Sequence, residues 1–445
     1  PSILFWDNGN EGGSNPELDR VFHEFDPQKR RVLHPWGLHS GVNTAHYLAY
    51  TNAEVAARGE PMYYHPKENA ELLNTNLPSG WIYMPTEFMH GLYDGGAGAG
   101  LADYWSMMMS YSNCAGGFIW VFADEGIRNP HTGQLDTAGN QAPDGIVGPY
   151  REREGSFYAI KEIWSPVSMK RESPHKEGFL PMNSFPFTLK TKYSEDNVRV
   201  SAGDVALTIS TTNGLLSGVT VGGKRISFGN GPRLVSGSST LKRIHTTNDA
   251  MGIRVTSLFE GDLERVTWRI QSDKHVKCEY VYRATGTQDV IGVVFDYPED
   301  LVKKKRWLGD GPFRVWKNRL NGVTFGEWEN DYNNTITGYS EWKYPEFKGC
   351  FSNVRWLQLE TTEGLITVVP ENIPFVQVLT PEQPPDNLVG KTKVNLPQCG
   401  LGFLHAIPPI GTKFKPAAQG GPQGQPNVGQ GEYSGRVSFY FGRRP

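Results

Sequence analysis

The feature of this 445-residue sequence that most constrains its fold is a change of pattern near residue 185. Before that point, short apolar stretches alternate with polar segments of helical periodicity. After it, short β-type stretches follow one another, broken by Gly, Asn and Asp. Alternating strands and helices favour a parallel α/β sheet or barrel, whereas successive short strands favour an antiparallel β-sandwich. The chain is therefore predicted to contain two architectures, α/β and all-β.

The pattern predicts three segments: an α/β region over residues 1–167, a linker over 168–184 and a large β-sandwich over 185–445. The predicted strands of the first segment are 2–6, 31–34, 44–47, 81–86 and 117–121. Its predicted helices are 16–25, 66–73 and 100–111. Residues 417–431, which are rich in Gly, Pro and Gln, predict a long flexible surface loop.

Composition excludes some functions and leaves others open. The formal net charge is −3, with no long basic segment, which argues against a nucleic-acid partner. No uncharged apolar stretch approaches the length of a membrane span. The 12 Trp and 19 Tyr suit either sugar binding or the core of a large β-sandwich. The four cysteines lie far apart, predict neither a metal knuckle nor a disulfide framework, and leave the compartment open.

Two glutamates stand at the ends of predicted strands. Glu11 follows the first strand within GNEGG, and Glu87 ends GWIYMPTE. The carboxyl ends of barrel strands line the active site, and 76 residues correspond to about three βα units, so the two would face each other. Two facing glutamates are the arrangement for glycoside hydrolysis, with about 5–5.5 Å between them in retaining enzymes. The alternative is that both are solvated loop acids.

Four ordered motifs resemble glycoside hydrolase family 2, the family of β-galactosidases and β-glucuronidases. EFMHGLYDGGAGAGLADYWSMMMSYSNCAGGFIWVFADEGI resembles its nucleophile region, and FWDNGNEGG its acid/base motif. DGIVGPYREREGSFYAIKEIWSPV resembles the segment that closes the barrel. WLGDGPFRVWKNRLNG, followed by YPEFKGCFSNVRWLQLE, resembles the terminal β-sandwich of the β-galactosidase branch. The resemblance implies the C-terminal half of a (β/α)8 TIM barrel, beginning at barrel strand 4, and then a large antiparallel β-sandwich.

The resemblance also implies roles for six residues: Glu87 as nucleophile, Glu11 as acid/base, Asn10 as the partner of the sugar 2-hydroxyl, His90 as a ligand of another hydroxyl, Trp120 as a stacking surface and Tyr47 as a hydrogen-bond partner of the nucleophile. His46 and His34 are further strand-end candidates without a firm counterpart. Some family members bind Mg²⁺ through the acid/base glutamate, so Mg²⁺ near Glu11 is an expectation whose other ligands lie outside this sequence.

The implied function is that of a retaining exo-β-glycosidase of the β-galactosidase type, acting on an oligosaccharide or polysaccharide by double displacement. A β-glucuronidase and a non-catalytic carbohydrate-binding fragment are the alternatives. Recognition of a uronate calls for Lys or Arg, and residues 113–145 contain no convincing Asn-x-Lys pair of the glucuronidase kind, which favours a neutral sugar. Five strands cannot close a barrel, so an upstream part of the same enzyme is expected to complete it.

Overall fold

The computed structural model describes residues 2–11, 13–64, 75–77, 79–91, 98–136, 142, 144–166, 187–331, 349–379, 391–392 and 394–442. The helix predicted at 66–73 and the linker predicted at 168–184 lie outside these ranges.

The first part of the described chain contains short strands and four helices. The helices are α1 Pro16–Phe25, α2 Tyr50–Ala57, α3 Leu101–Met109 and α4 Gly155–Ile163. The strands are β1 Trp6–Asp7, β2 Val32–Leu33, β3 Leu38–His39, β4 Val42–Asn43, β5 Met62–Tyr64, β6 Thr75–Leu77, β7 Ile82–Tyr83, β8 Ile127–Arg128 and β9 Leu135–Asp136. None of the described helices is long and apolar enough to cross a membrane.

Helix α1 shows why the sequence prediction succeeded there. The Asn15 side chain accepts a hydrogen bond from the Glu17 N–H, and Pro16 opens the first turn with a backbone angle that suits a helix. Glu17 and Asp19 place negative charge in the first turn, where the helix dipole favours it. The predicted span 16–25 is confirmed, and α3 occupies most of the predicted helix at 100–111.

Parallel pairing joins several of the short strands. β1 pairs with β2, and β4 pairs with β7, both in parallel. Isolated parallel bridges continue the pattern at Tyr83–Cys114, Phe88–Ile119 and Ala123–Val147. This pairing sets the segment after β1 beside the one after β2, and the segment after β4 beside the one after β7. Pairs of two residues do not establish a half-barrel, so the TIM-barrel assignment stays a prediction.

The second part of the chain forms two large antiparallel sheets. The first has the order β10-β11-β12-β13-β15-β20-β27-β26-β23, with β14 also paired to β13. Its strands are β10 Leu189–Tyr193, β11 Asn197–Ala202, β12 Val205–Ser210, β13 Leu216–Val221, β14 Lys224–Ile226, β15 Gly229–Leu234, β20 Ile291–Asp296, β23 Cys350–Ser352, β26 Phe375–Val378 and β27 Leu401–Ala406.

The second sheet has the order β16-β17-β18-β19-β28-β25-β24-β21-β22. Its strands are β16 Ser239–Asp249, β17 Gly252–Gly261, β18 Leu263–Ile270, β19 Val276–Gln288, β21 Val302–Gly311, β22 Thr324–Asp331, β24 Trp356–Thr361, β25 Gly364–Glu371 and β28 Asn427–Phe441. The two sheets are consistent with the predicted β-sandwich, and the protein is mostly β-structure.

The sandwich core follows from period-two alternation along each strand. In β18, Val266, Trp268 and Ile270 are fully buried, while the polar residues between them are more exposed. Phe439 of β28 is fully buried at the centre of an aromatic group. Its ring centroid lies 5.4–6.2 Å from those of five other rings: Phe228, Trp268, Phe295, Phe403 and Phe441.

The prediction of a long flexible loop at 417–431 is wrong. The segment forms short 3₁₀ turns at Ala417–Gln419 and Pro422–Gly424 and then enters β28. The Gln423 N–H donates to the Asp103 carboxylate of α3 at 2.8 Å. Its Gly- and Pro-rich composition therefore reflects tight turns packed against the α/β part.

Replacing Phe439 with Ala tests the core assignment. Removing a fully buried aromatic ring should lower the free energy of unfolding by about 3–5 kcal/mol, because the cavity cannot collapse completely. Chemical denaturation followed by tryptophan fluorescence measures the change. Val428→Ala, on the exposed part of the same strand, is the control and should stay within about 0.5 kcal/mol of wild type. Equal effects of the two variants would contradict the assignment.

Candidate active site

Glu11 lies in a tight turn after β1, and the turn presents its carboxylate to solvent. Gly9 has a φ of +93°, and a Cβ there would come within 2.7 Å of the backbone of Gly13 and Ser14. Only glycine suits that position. Asn10 is exposed next to Glu11, and its carbonyl accepts the Gly13 N–H at 2.7 Å. Asn10 thus lies beside Glu11, with its role in binding sugar still a prediction.

Asn8 ties this turn to the start of α1. Its side-chain amide is buried and donates to the Asn15 carbonyl and to Asp19 Oδ1, both at 2.7 Å. The segment that carries Glu11 is therefore held at both ends, by strand pairing on one side and by this amide on the other.

Glu87 is buried and lies shortly after β7. The Tyr47 hydroxyl donates a hydrogen bond to Glu87 Oε2. The Tyr47 N–H also donates to the Glu87 carbonyl at 3.2 Å. The pairing of these two residues was predicted, and the geometry places them in direct contact.

His46 lies between the two glutamates. Its Nδ1 is 3.4 Å from Glu11 Oε1 and 3.7 Å from Glu87 Oε2, while its Nε2 is 2.8 Å from the Thr86 hydroxyl. One oxygen of each carboxylate and one His46 nitrogen all lie within 4.8 Å of one another. The Trp36 ring stacks on the imidazole, with centroids 5.2 Å apart. The two carboxylates therefore face one point, with an imidazole beside both.

Burial governs the titration of Glu87 and His46. It raises the pKa of Glu87, as does the negative charge of Glu11, while the hydrogen bond from Tyr47 lowers it. Burial lowers the pKa of His46 to about 4, so this ring is neutral at pH 7. A neutral imidazole beside two carboxylates can donate a hydrogen bond without adding a positive charge.

A second buried group adjoins Glu87 through Tyr47, whose ring centroid lies 5.9 Å from that of His90. His90 is buried, and its Nδ1 lies 2.9 Å from the Gly91 carbonyl, which fixes Nδ1 as the donor. Burial lowers the His90 pKa to about 3, so its Nε2 carries a lone pair. That atom lies 3.6 Å from Asp144 Oδ2.

Asp144 receives partners from both parts of the chain. It is 2% exposed, and burial raises its pKa to about 7, while Lys413 and a hydrogen bond from the Trp120 side chain lower it. The Trp120 ring is half-buried and its centroid lies 6.3 Å from that of His90. Trp120 is thus at the site, and its stacking role stays a prediction.

The β-sandwich contributes two side chains to this region. The Lys413 N–H donates to the His90 carbonyl at 3.0 Å, and Lys413 Nζ lies 3.6 Å from Asp144 Oδ2. The half-exposed Phe414 ring lies 4.9 Å from Tyr47 and 4.8 Å from His90, between centroids. The site is therefore formed by both architectures.

Asn318 holds the sandwich segment in position. Its side chain exchanges hydrogen bonds with the Ile410 N–H and carbonyl at 2.9 and 2.8 Å. Its own carbonyl accepts the Gly100 N–H at the start of α3, also at 2.9 Å. One buried asparagine thus links the start of α3 to the chain three residues before Lys413.

The structure brings five sequence-predicted residues together, Glu11, Glu87, Tyr47, His90 and Trp120, and places Asn10 at the edge. His46 joins them, whereas His34 lies in a separate group. Sequence reasoning missed Asp144, Lys413 and Phe414 as site residues. Asp144 belongs to the motif that begins DGIVG, so the sequence could have indicated it. Lys413 and Phe414 lie more than 250 residues from the other site residues, and no motif in the sequence indicates their role.

Two groups of side chains hold donors typical of metal sites. In one, His34 Nε2 lies 3.0 Å from both Asp19 oxygens, and His39 Nε2 lies 2.8 Å from Asp19 Oδ2. The two imidazoles are stacked in nearly parallel planes 3.7 Å apart, so their in-plane lone pairs cannot meet at one ion. This group has the geometry of a hydrogen-bond network.

The other group is Glu11, His46 and Glu87, the facing carboxylates themselves. Mg²⁺ prefers several oxygen ligands in octahedral geometry, and an ion between these side chains would occupy the space between the facing carboxylates. These three side chains supply two carboxylate oxygens and one imidazole nitrogen, fewer oxygens than the six that Mg²⁺ prefers. Mg²⁺ bound through Glu11 and ligands outside this sequence stays a prediction.

Residues 236–396 match the family described as Beta galactosidase small chain. The chain is 24% identical over 209 residues to the β-galactosidase of Priestia megaterium, covering 43% of this chain and 19% of that protein. It is 33% identical over 129 residues to the β-galactosidase large subunit of Lactobacillus acidophilus, covering 28% of this chain and 18% of that protein. The chain thus spans about a fifth of the length of these curated relatives.

Over part of its length, this chain is therefore similar to proteins of the β-galactosidase type. A crystal structure of galactose 1-epimerase from Lactobacillus acidophilus NCFM aligns at 10% identity with a TM-score of 0.35, covering 57% of this chain and 100% of that one. A TM-score this low supports no conclusion.

Replacing Tyr47 with Phe tests the link to Glu87. The hydroxyl lowers the pKa of Glu87, so its loss should move the acidic limb of the pH profile of kcat/KM to higher pH. Activity should fall about 10-fold or more, since hydrogen bonds to charged groups contribute about 1.5–3 kcal/mol. Tyr50→Phe, on the adjacent helix, is the control. An unchanged acidic limb would contradict the link.

Proposed function

We propose that this chain is part of a retaining exo-β-glycosidase of glycoside hydrolase family 2, of the β-galactosidase type. The observation that carries the proposal is the approach of the Glu11 and Glu87 carboxylates, which have one oxygen of each within 4.8 Å. This approach is shorter than the separation of about 6.5–9.5 Å between the carboxyls of inverting enzymes, and it suits direct attack by one carboxylate. The sequence similarity to β-galactosidases agrees with this choice.

In the proposed reaction, the two carboxylates take the roles that the family resemblance implies. Glu87 attacks the anomeric carbon as the bond to the leaving oxygen breaks, and Glu11 gives that oxygen its proton. A covalent glycosyl-enzyme results. Glu11, now ionised, then takes a proton from water, whose oxygen attacks the anomeric carbon and releases Glu87. Two inversions at the anomeric carbon leave its configuration unchanged.

The surrounding residues orient the two carboxylates. The Tyr47 hydroxyl bonds to Oε2 of Glu87, which leaves the other oxygen available for attack. His46 is neutral, and its Nδ1 lies 3.4 Å from Glu11 and 3.7 Å from Glu87, so it can donate a hydrogen bond without adding a positive charge. The exposed position of Glu11 suits a group that must exchange protons with water.

We further propose that another polypeptide segment completes the barrel around this site. Two of the relatives, from Lactobacillus acidophilus and Latilactobacillus sakei, are named as the large subunit of a β-galactosidase. A partner subunit or an upstream segment would cover the short strands. Co-expression with such a segment should raise both solubility and β-glycosidase activity over residues 1–445 alone, and equal activity without it would contradict this part.

The acid/base role is tested by Glu11→Gln in the complete protein. The substitution should lower kcat/KM about 10²–10⁴-fold on alkyl β-galactosides, whose leaving oxygen needs a proton. The loss should be much smaller on dinitrophenyl β-galactoside, whose leaving group departs unprotonated. Glu87→Gln should abolish activity on both substrates, because no covalent intermediate can form.

Glu60→Gln, an exposed glutamate near α2, is the matched control and should leave both rates unchanged. Equal losses on the two substrates with Glu11→Gln would contradict the acid role. Proton NMR of the first-formed sugar distinguishes the mechanism, since release of the α-anomer from a β-galactoside would contradict retention.

A further inference from the structure

We propose that Lys413, a residue of the β-sandwich, determines sugar specificity at the candidate active site and, together with Asp144, binds hydroxyl groups of a neutral terminal sugar. The inference rests on the proposed glycosidase function and adds a residue that selects the sugar. It assigns a binding role to a part of the chain far in sequence from the two glutamates.

Lys413 lies inside the site rather than on its rim. Its side chain is 11% exposed, and its ammonium nitrogen is 3.6 Å from Asp144 Oδ2. Its main-chain N–H holds the carbonyl of His90 at 3.0 Å. His90 in turn neighbours Tyr47, which bonds to Glu87. The ammonium is therefore placed next to the groups that would surround the sugar.

One acceptor beside Lys413 lacks a hydrogen-bond donor among the described residues. Asp144 Oδ1 is buried and has no hydrogen-bond partner in the part of the chain that the structure describes. His90 Nε2 and Asp144 Oδ2 are 3.6 Å apart, and both are acceptors when the carboxyl is ionised. Buried acceptors are normally satisfied. A sugar hydroxyl supplies the missing donor and can at the same time accept a hydrogen bond from the Lys413 ammonium.

Charge balance selects the kind of sugar. The positive charge of Lys413 is paired with the negative charge of Asp144, so the pair as a whole offers no net charge to a ligand. A uronate carboxylate would meet Asp144 in a buried setting where repulsion between like charges is strong. Uncharged hydroxyls suit this donor–acceptor pair better. The site therefore favours a neutral sugar of the galactoside kind over a uronide.

The experiment compares Lys413→Met with the wild-type complete protein. Methionine retains the apolar stem and removes the ammonium. We expect kcat/KM for nitrophenyl β-galactoside to fall about 10- to 100-fold, mainly through KM, as for the loss of a hydrogen bond to a charged group. The 3-, 4- and 6-deoxygalactosides identify the hydroxyl that Lys413 binds. For the deoxygalactoside that lacks this hydroxyl, Lys413→Met should have the same kcat/KM as the wild type. Lys413→Arg should restore part of the activity.

Lys391→Met is the control, because this exposed lysine contacts Lys413 only through main-chain atoms among the described contacts. Circular dichroism and the thermal midpoint establish that each variant is folded. Asp144→Asn gives an independent readout: with the lysine charge unbalanced, the ratio of β-glucuronide to β-galactoside activity should rise at least 10-fold.

Three outcomes would overturn the inference, and they can be told apart. In the first outcome, the wild type cleaves galactosides, Lys413→Met has the KM and deoxysugar profile of the wild type, and Asp144→Asn has its ratio of glucuronide to galactoside activity. Lys413 then does not bind the sugar, and the glycosidase proposal stands. If the wild type prefers glucuronides, the site binds an anionic sugar and the assignment of a neutral sugar is wrong. Failure of the wild type on every β-glycoside would overturn the proposed function itself.

Discussion

The hydrogen bond from the Lys413 N–H to the His90 carbonyl joins the two architectures at the candidate site, and much of the site depends on it. It sets the sandwich segment against the chain that follows Glu87, so that Lys413 reaches Asp144 and Phe414 covers Tyr47 and His90. Asn318 stabilises this contact through its hydrogen bonds with Ile410 and Gly100. A loop alone would not hold these positions, whereas a loop anchored in a large β-sandwich does.

Burial then gives the site its chemical character. It keeps the imidazoles of His46 and His90 neutral and raises the pKa of Glu87 and Asp144. A cluster of this kind is expensive to bury unless its groups are paired, and Tyr47 and Lys413 supply the pairing. The same exclusion of water strengthens the electrostatic interactions between these groups and a bound sugar, which increases the specificity of the site.

The sequence predicted those features that depend on interactions between residues close together in the chain. The cap and acidic first turn of α1 sufficed to place that helix, and period-two alternation sufficed to predict a β-sandwich. It failed at 417–431, where Gly and Pro indicated a flexible loop. Turns that pack against α3 and turns that remain in solvent use the same residues, so composition cannot distinguish them. The TIM-barrel half, taken from resemblance, stays a prediction because the described parallel strands pair over only two residues each.

The sequence by itself determined the two architectures and the pair of glutamates with its neighbours Tyr47 and His90, because motif and period are written in consecutive residues. The tertiary structure decided which distant residues complete the site. Lys413 and Phe414 carry no local signal, since a lysine and a phenylalanine in a Pro-rich segment occur in many surface loops. Only the packing of the sandwich against the α/β part brings them to His90 and Asp144, because proximity across more than 250 residues depends on the whole fold.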